Sequence, residues 1–554
     1  MIEIYIHLLL ASVFLICSGH FFNLGEEIEN KNSFYTQKII FGIIFISFIA
    51  LTLHFFIPLS PANNSLVFLI ILVLFICKRK IRNDIFNTRI LLPTLIVSLI
   101  SFFLIYKSNV YQPDAGLYHL PYTGLINSEK INFGIANIHH RFGFVTIIQY
   151  TSAIFNNFLF LENGITIPLA IIASAIMLNF YSHIISYIKE KNISNTHFIY
   201  LFCITIFISL KMSRYDDYGN DAPGHFLFFF LISEVLKKKF FEINFNKLLI
   251  LSIFIFLNKI SFILVLIFPL IWILLYKKLS ANITTLIGIL FLLLWLLKNI
   301  VVSGCAIYPI KITCISGLKW STINNQTINT ENVHIETEAW AKGYPDQKKY
   351  NQQEFIKEFN WVKTWSKKHL IYILYKILYF IAVLICLYIV LRKNNNVSQQ
   401  YSIANLNYIL LFSIISFLLW FTQAPVYRFG YSYIIIIITV IYIKMMKKYF
   451  VYNFQNIKYL KTILFISILL LFGKQLPRIF KTMDDIENKG WPNIYSNHKY
   501  KKDNLQDLTF HISPNCSYTK IWCTYYPELE KKIQITNQYT YRIFSNTIEK
   551  QNKY

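Results

Sequence analysis

Long apolar runs alternate with short polar intervals along this chain up to residue 476. The runs are uniformly apolar and lack the one-sided stripe of a soluble amphipathic helix, which is the pattern of bilayer-spanning helices. About fourteen such segments are predicted, near residues 4–18, 38–57, 65–77, 90–106, 165–188, 197–211, 222–236, 248–258, 260–276, 282–303, 370–391, 403–421, 430–447 and 460–476. Several are shorter than the ~20 residues of a perpendicular span, so some extend into polar flanks or stop partway. The weakest stretch is 248–276, where Asn258 and Lys259 interrupt one long apolar run; it reads as two short helices meeting in the interior. The expected fold is an all-α polytopic membrane protein. Its transmembrane domain covers 1–476, with extra N-terminal helices over 1–106, and a small extracytoplasmic tail covers 477–554.

Composition sharpens this reading. The chain has 554 residues, 55% of them hydrophobic, and a mean hydropathy of +0.46. A formal net charge of +25 would suit a nucleic-acid binder, but the lysines flank the apolar runs, where the positive-inside bias places them. Nucleic acid is therefore excluded as a partner, and membrane lipids are expected. The first apolar run lacks a basic leader and a small-residue cleavage site, so it reads as a retained helix.

Charge also orients the segments. With fourteen segments, Lys78, Arg79, Lys80, Arg82, Lys237–Lys239, Lys277, Lys278, Arg392, Lys393, Lys447 and Lys448 share one side, expected to be cytoplasmic. The opposite side receives the polar regions 107–164, 211–221, 304–369 and 477–554. Two close cysteine pairs lie there, Cys305 with Cys314 and Cys516 with Cys523. They suit disulfides in an oxidising compartment; their spacing does not match zinc knuckles, and spacing alone leaves free thiols open.

Ionisable groups are costly beside lipid, so the polar island from Tyr111 to Phe144 stands out. Pro113 and Asp114 look like a helix start, with Tyr118 on the same face as Asp114 and His119 next to it. Asp114 is either a general base at the membrane surface or a helix-start residue complementing the dipole. His139, His140 and Arg141 form either an anion site or a basic cluster meeting lipid headgroups. A second acidic stretch runs from Lys211 to His225 and holds Arg214, Asp216, Asp217 and Asp221. Asp216 and Asp217 are candidate ligands for a divalent cation such as Mg or Mn, or members of an ordinary polar turn. Lys259 sits within apolar sequence, as a partner for a phosphate or an acid, or as a snorkelling residue. Arg428 is a further cation at a predicted outer helix end. The sequence contains no phosphate loop, no G-x-S-x-G and no H-E-x-x-H.

Together these pieces resemble the GT-C class of integral-membrane glycosyltransferases, in a bacterial multi-pass form. The residues carrying the resemblance are Pro113, Asp114, Tyr118 and His119, the stretch Asn137–Phe144 and the acids at 216–221. Ser303, Gly304, Tyr308, Pro309, Trp340, Ala341, Ala424, Pro425 and Arg428–Gly430 complete it. The resemblance implies an inverting transferase of the bacterial inner membrane, acting at the periplasmic face. It would move a sugar from a polyprenyl-phosphate donor to a glycan, lipid or protein acceptor. It assigns Asp114 as the acid of the first outer loop, with Asp217 or Asp221 as a second acid. Arg141, Lys259 and Arg428 are its phosphate candidates, and Tyr118, His119, His139, His140 and Arg214 fall among its substrate-binding residues. The chain departs from the class in its extra helices before the acidic loop and in lacking an Asp-Glu pair there. Competing readings are a polymerase or ligase of lipid-linked polysaccharide, and a transporter or flippase of lipid-linked saccharide. The latter predicts internal repeats and ionisable groups near the midplane, and the sequence shows no repeat. The tail, with Trp491, Pro492 and Trp522, reads as a small outer domain that meets a saccharide or as a disulfide-stapled lid.

Overall fold

The computed structural model describes residues 1–22, 31–77, 88–108, 114–211, 218–238, 240–276, 282–325, 329–345, 351–357, 359–391, 404–446, 454–480, 490–495, 501–506, 508–513, 515–524 and 533–546. The basic clusters at 78–82, 277–278, 392–393 and 447–448, together with Lys239, lie outside the described residues.

Each predicted apolar segment coincides with helix. In chain order these are α1 (Ile2–Gly19), α2 (Lys31–His54), α3 (Pro61–Cys77), α4 (Thr88–Ile105), α5 (Leu120–Ser128), α6 (Ile147–Ala153), α7 (Ile167–Lys189), α8 (Thr196–Lys211), α9 (Asp221–Lys237), α10 (Phe245–Asn258), α11 (Ile267–Tyr276), α12 (Ile283–Ser303), α13 (Thr330–Ala341), α14 (Ile371–Leu391), α15 (Ala404–Gln423), α16 (Tyr427–Met446) and α17 (Phe454–Gly473). The short α5 and α6 and the polar α13 belong to the inter-segment regions. Eight helical stretches among the described residues are long and apolar enough to cross a bilayer, and five more are apolar but shorter. The molecule is thus a membrane-embedded helical protein. The predicted break at Asn258 and Lys259 is present: α10 ends at Asn258, Lys259 is extended, and a 3-10 segment Ile260–Leu266 leads into α11.

Helix packing follows membrane rules. Without a hydrophobic drive between helices in lipid, close backbone approach and interhelical hydrogen bonds hold the bundle. Gly19 and Gly42 seat α1 against α2: a Cβ on either would lie within 2.0 Å of a carbonyl oxygen, that of Lys38 or Leu15. Ser47 bonds Thr151 at 2.6 Å, and Ser101 bonds Ser174 at 2.8 Å. Helix α7 is buried along nearly its whole length, whereas α14 exposes Ile371, Leu374, Leu378, Ile385 and Ile389, a face suited to lipid.

The tail departs from the expected all-α pattern. It forms a three-stranded sheet, β1 (Lys501–Leu505) antiparallel to β2 (Leu508–Ile512) and β2 parallel to β3 (Trp522–Thr524). A separate antiparallel hairpin joins β4 (Ile533–Gln538) and β5 (Tyr541–Asn546). Both pack on the 107–164 region: Thr524 Oγ1 of β3 donates to the Ile138 carbonyl at 2.9 Å, and in the hairpin Phe133 bridges Ile543, Asn137 Nδ2 donates to the Phe544 carbonyl at 3.0 Å and Arg542 pairs with Glu129 at 2.7 Å. The 304–369 region joins the same end of the bundle, where Asn137 also donates to the Trp320 carbonyl at 2.9 Å. Cys305–Cys314 and Cys516–Cys523 are disulfides, as their pairing in the sequence suggests.

Candidate active site

Five charged side chains, far apart in sequence, meet at this end of the bundle. Asp114 opens a helical turn, Ala115–His119, that runs into α5. Its carboxylate makes no helix-capping bond. Instead Oδ1 accepts from Arg141 Nη1 at 3.2 Å and Oδ2 from Arg428 Nη1 at 2.5 Å. Asp114 thus stands at a helix start, as the sequence suggests, with its carboxylate held in ion pairs and not in a capping bond.

The partners are held by local structure. Arg141 lies in the 3-10 helix His140–Phe144, whose N-cap is His139; its Nδ1 accepts from the Arg141 amide at 3.2 Å. Arg428 sits in the first turn of α16, where the helix dipole disfavours a cation, so the nearby carboxylates offset that cost. Asp221 begins α9, a favourable place for an acid. It bonds Lys259 Nζ and faces Arg428 Nε at 3.8 Å. Lys259 also reaches the Arg428 carbonyl at 3.4 Å and lies 4.4 Å from the Phe429 ring centroid. Its amine is directed inward, so it does not snorkel. Side-chain exposure falls from 37% at Arg141, through 28% at Asp114, 25% at Arg428 and 22% at Asp221, to 7% at Lys259. The cluster thus has an open edge at Arg141 and a closed floor at Lys259.

A ring of further contacts fixes this group. His225 Nε2 meets the Arg428 carbonyl at 2.8 Å and its Nδ1 meets Ser432 Oγ at 2.9 Å. A carbonyl only accepts, so Nε2 carries the proton, and the ring ties α9 to α16. His119 Nδ1 meets Gln149 Nε2 at 2.6 Å, and Gln149 is in turn held by the Thr146 amide and hydroxyl at 2.9 Å each. Thr123 bonds Tyr218 at 3.1 Å, bringing the middle of the second acidic region beside the first. The Arg141 guanidinium lies 5.8 Å from the Tyr118 ring centroid, and that of Arg428 lies 5.5 Å from Trp340, whose indole is half exposed. His225, four residues after Asp221 and so on the same helix face, escaped the sequence reading although that spacing was its signal.

The structure parts company with the sequence at His139 and His140. Both rings are buried, so they form neither an anion-binding surface nor a headgroup cluster; only Arg141 of that triplet faces the site. Arg214, Asp216, Asp217 and Pro113 lie outside the described residues. Among the described residues, no three His, Cys, Asp or Glu side chains are grouped to hold a metal ion.

Electrostatics follow from the geometry. Burial alone would raise the Asp114 carboxyl, but the charges of Arg428, His119 and Arg141 outweigh it and hold the group below its usual range. Burial lowers His119 to about 4, against the opposing pull of Asp114 and Asp221. Burial and the Arg141 charge lower His140 to about 3. Between pH 6.5 and about 4 the unfolded chain takes up protons on these histidines that the folded chain refuses, so stability falls with pH. Asp114 adds its own loss only below its usual carboxylate range, as the pH falls through its lowered folded value. Thermal melting in nanodiscs from pH 8 to 4 is expected to give a flat midpoint above pH 7 and a progressive fall below 6.5. His119→Gln and His140→Gln together reduce that fall; an unchanged slope in the double variant contradicts the assignment.

A family model described as Domain of unknown function (DUF8201) matches residues 1–435. The chain belongs to that family. The DUF8201 match contains Asp114, Arg141, Asp221, Lys259 and Arg428, so every member of the charged cluster lies within it. The strands and second disulfide of the tail follow after the DUF8201 match ends. No curated protein and no solved structure matches the chain.

Proposed function

We propose that the protein is a membrane glycosyltransferase of the GT-C type with fourteen membrane segments. In this reading it resides in the bacterial inner membrane and works at the periplasmic face. It transfers a sugar from a polyprenyl-phosphate donor to a glycan, lipid or protein acceptor. One observation carries the reading: Asp114 lies between Arg141 and Arg428 at the partly open edge of the charged cluster. Three cations, Arg141, Lys259 and Arg428, face two carboxylates, Asp114 and Asp221, leaving one net positive charge (3 − 2). The two disulfides at this end of the bundle support an oxidising, extracytoplasmic side.

The chemistry follows from that arrangement. A donor phosphate competes with Asp114 for the two guanidiniums, which bind phosphate with charge-assisted bonds. As Arg141 and Arg428 turn to the phosphate, the Asp114 carboxylate loses the charges that depress its basicity. It then accepts the proton of an acceptor hydroxyl as that oxygen attacks the anomeric carbon. The anomeric carbon–phosphate bond breaks, and the guanidiniums meet the charge that develops on the leaving phosphate. The half-exposed Trp340 offers an apolar face beside Arg428 for a sugar ring.

A buried pair near the end of α9 opposite Asp221 is not the midplane group that transport predicts. Glu234 and Lys247 are 2.7 Å apart, and Lys247 also bonds Gln37 at 2.8 Å. Glu234 lies 13 residues (234 − 221) beyond Asp221 on α9, about 20 Å along the axis and far from the open cluster. The first test is binding: a short-chain polyprenyl phosphate in nanodiscs is expected to bind the wild type and the neutral polyprenol is not. Equal binding of both lipids sinks the phosphate assignment.

A further inference from the structure

We infer that the tail beyond the family match completes the charged cluster: the disulfide-closed loop 516–523 clasps the segments bearing Asp114 and Arg141. The contacts fall at both ends of that loop. At one end, the Ser517 amide donates to the Gly116 carbonyl at 2.9 Å, two residues from Asp114. At the other, Thr524 Oγ1 donates to the Ile138 carbonyl at 2.9 Å, next to His139, the cap of the Arg141 helix. Between them Tyr518 is buried, donating to Asn127 Oδ1 at 3.1 Å and accepting from Asn156 Nδ2 at 2.9 Å.

Two glycines record how close the loop lies. A Cβ on Gly116 would meet Asn515 Oδ1 at 2.0 Å, and one on Gly124 would meet the Thr519 carbonyl oxygen at 1.8 Å. The first obstacle is a side chain and can swing away; the second is backbone, so any larger residue at 124 must push the tail off. The Cys516–Cys523 bond ties the two ends of the loop and so limits how far its grips on Gly116 and Ile138 can separate. Ser517 and Thr524 are positioning residues: they act on the Asp114–Arg141 pair through Gly116 and Ile138.

The test uses the full chain in nanodiscs. Backbone hydrogen exchange is compared for wild type, Cys516→Ser/Cys523→Ser, Gly124→Val and the mild variant Thr524→Val. Exchange over 115–128 and 138–144 is expected to rise about tenfold in the first two variants and less in Thr524→Val, with α7 unchanged. Short-chain polyprenyl phosphate, used as the probe, is expected to bind the first two variants about tenfold more weakly at an unaltered melting midpoint of the helical bundle. Wild-type exchange in both segments of Gly124→Val and the cysteine variant overturns the inference. The exchange readout needs no activity, so faster exchange with no lipid-phosphate binding by the wild type counts against the proposed function and leaves the clasp standing.

Discussion

Replacing Arg428 with alanine is expected to weaken donor binding and to loosen the fold at the same time. The side chain donates to Asp114 at 2.5 Å and faces Asp221 at 3.8 Å, so its loss strips a partner from both carboxylates. A hydrogen bond to a charged group contributes about 1.5–3 kcal/mol, which corresponds to roughly a 10–150-fold loss of affinity for a polyprenyl phosphate. Leaving Asp114 with Arg141 alone also lowers the melting midpoint. Arg428→Lys is expected to recover little, because an ammonium is a point charge and cannot serve both acids as a planar guanidinium does. Titration in nanodiscs gives the affinity and calorimetry gives the midpoint. An alanine variant with wild-type lipid-phosphate affinity removes Arg428 from the phosphate site.

Asp114→Asn is expected to pull binding and turnover in opposite directions. The amide fills the same volume but cannot take a proton, so turnover falls by about 10²–10⁴-fold. The substitution also removes the carboxylate that occupies Arg141 and Arg428, so the donor phosphate binds several-fold more tightly. A residue that only held the fold together would weaken both. Single-turnover kinetics beside equilibrium binding separates the two cases. Weaker binding with turnover intact contradicts the role given to Asp114.

Some of this was legible in the residues and some was not. Apolar runs located the helices because in lipid the backbone satisfies its own hydrogen bonds and the side chains need only be apolar. The Asn258–Lys259 break was legible because two polar residues interrupt otherwise continuous apolar sequence. The Asp114–Arg428 contact spans 314 positions and has no local signature, yet each residue by itself reads as an outer-face charge. His139 and His140 misled because adjacent histidines beside an arginine look like an anion site, whereas their backbone setting turns both rings inward. The tail strands were missed because they are short and carry lysine, asparagine and glutamine, with weak alternation. Gly116 and Gly124 carried a signal, eight positions apart on one short segment, but its meaning depends on a loop some 400 residues later.

The central claim is that this charged cluster transfers a sugar from a lipid phosphate. The most direct measurement incubates the purified full chain in nanodiscs with a panel of labelled polyprenyl-phosphate sugars, alone and with glycan, lipid and peptide acceptors. The release of lipid phosphate is followed beside the Asp114→Asn variant. The account predicts release by the wild type with at least one donor and loss of that release in the variant. No release with any donor and acceptor pair, or equal release by both proteins, would contradict it.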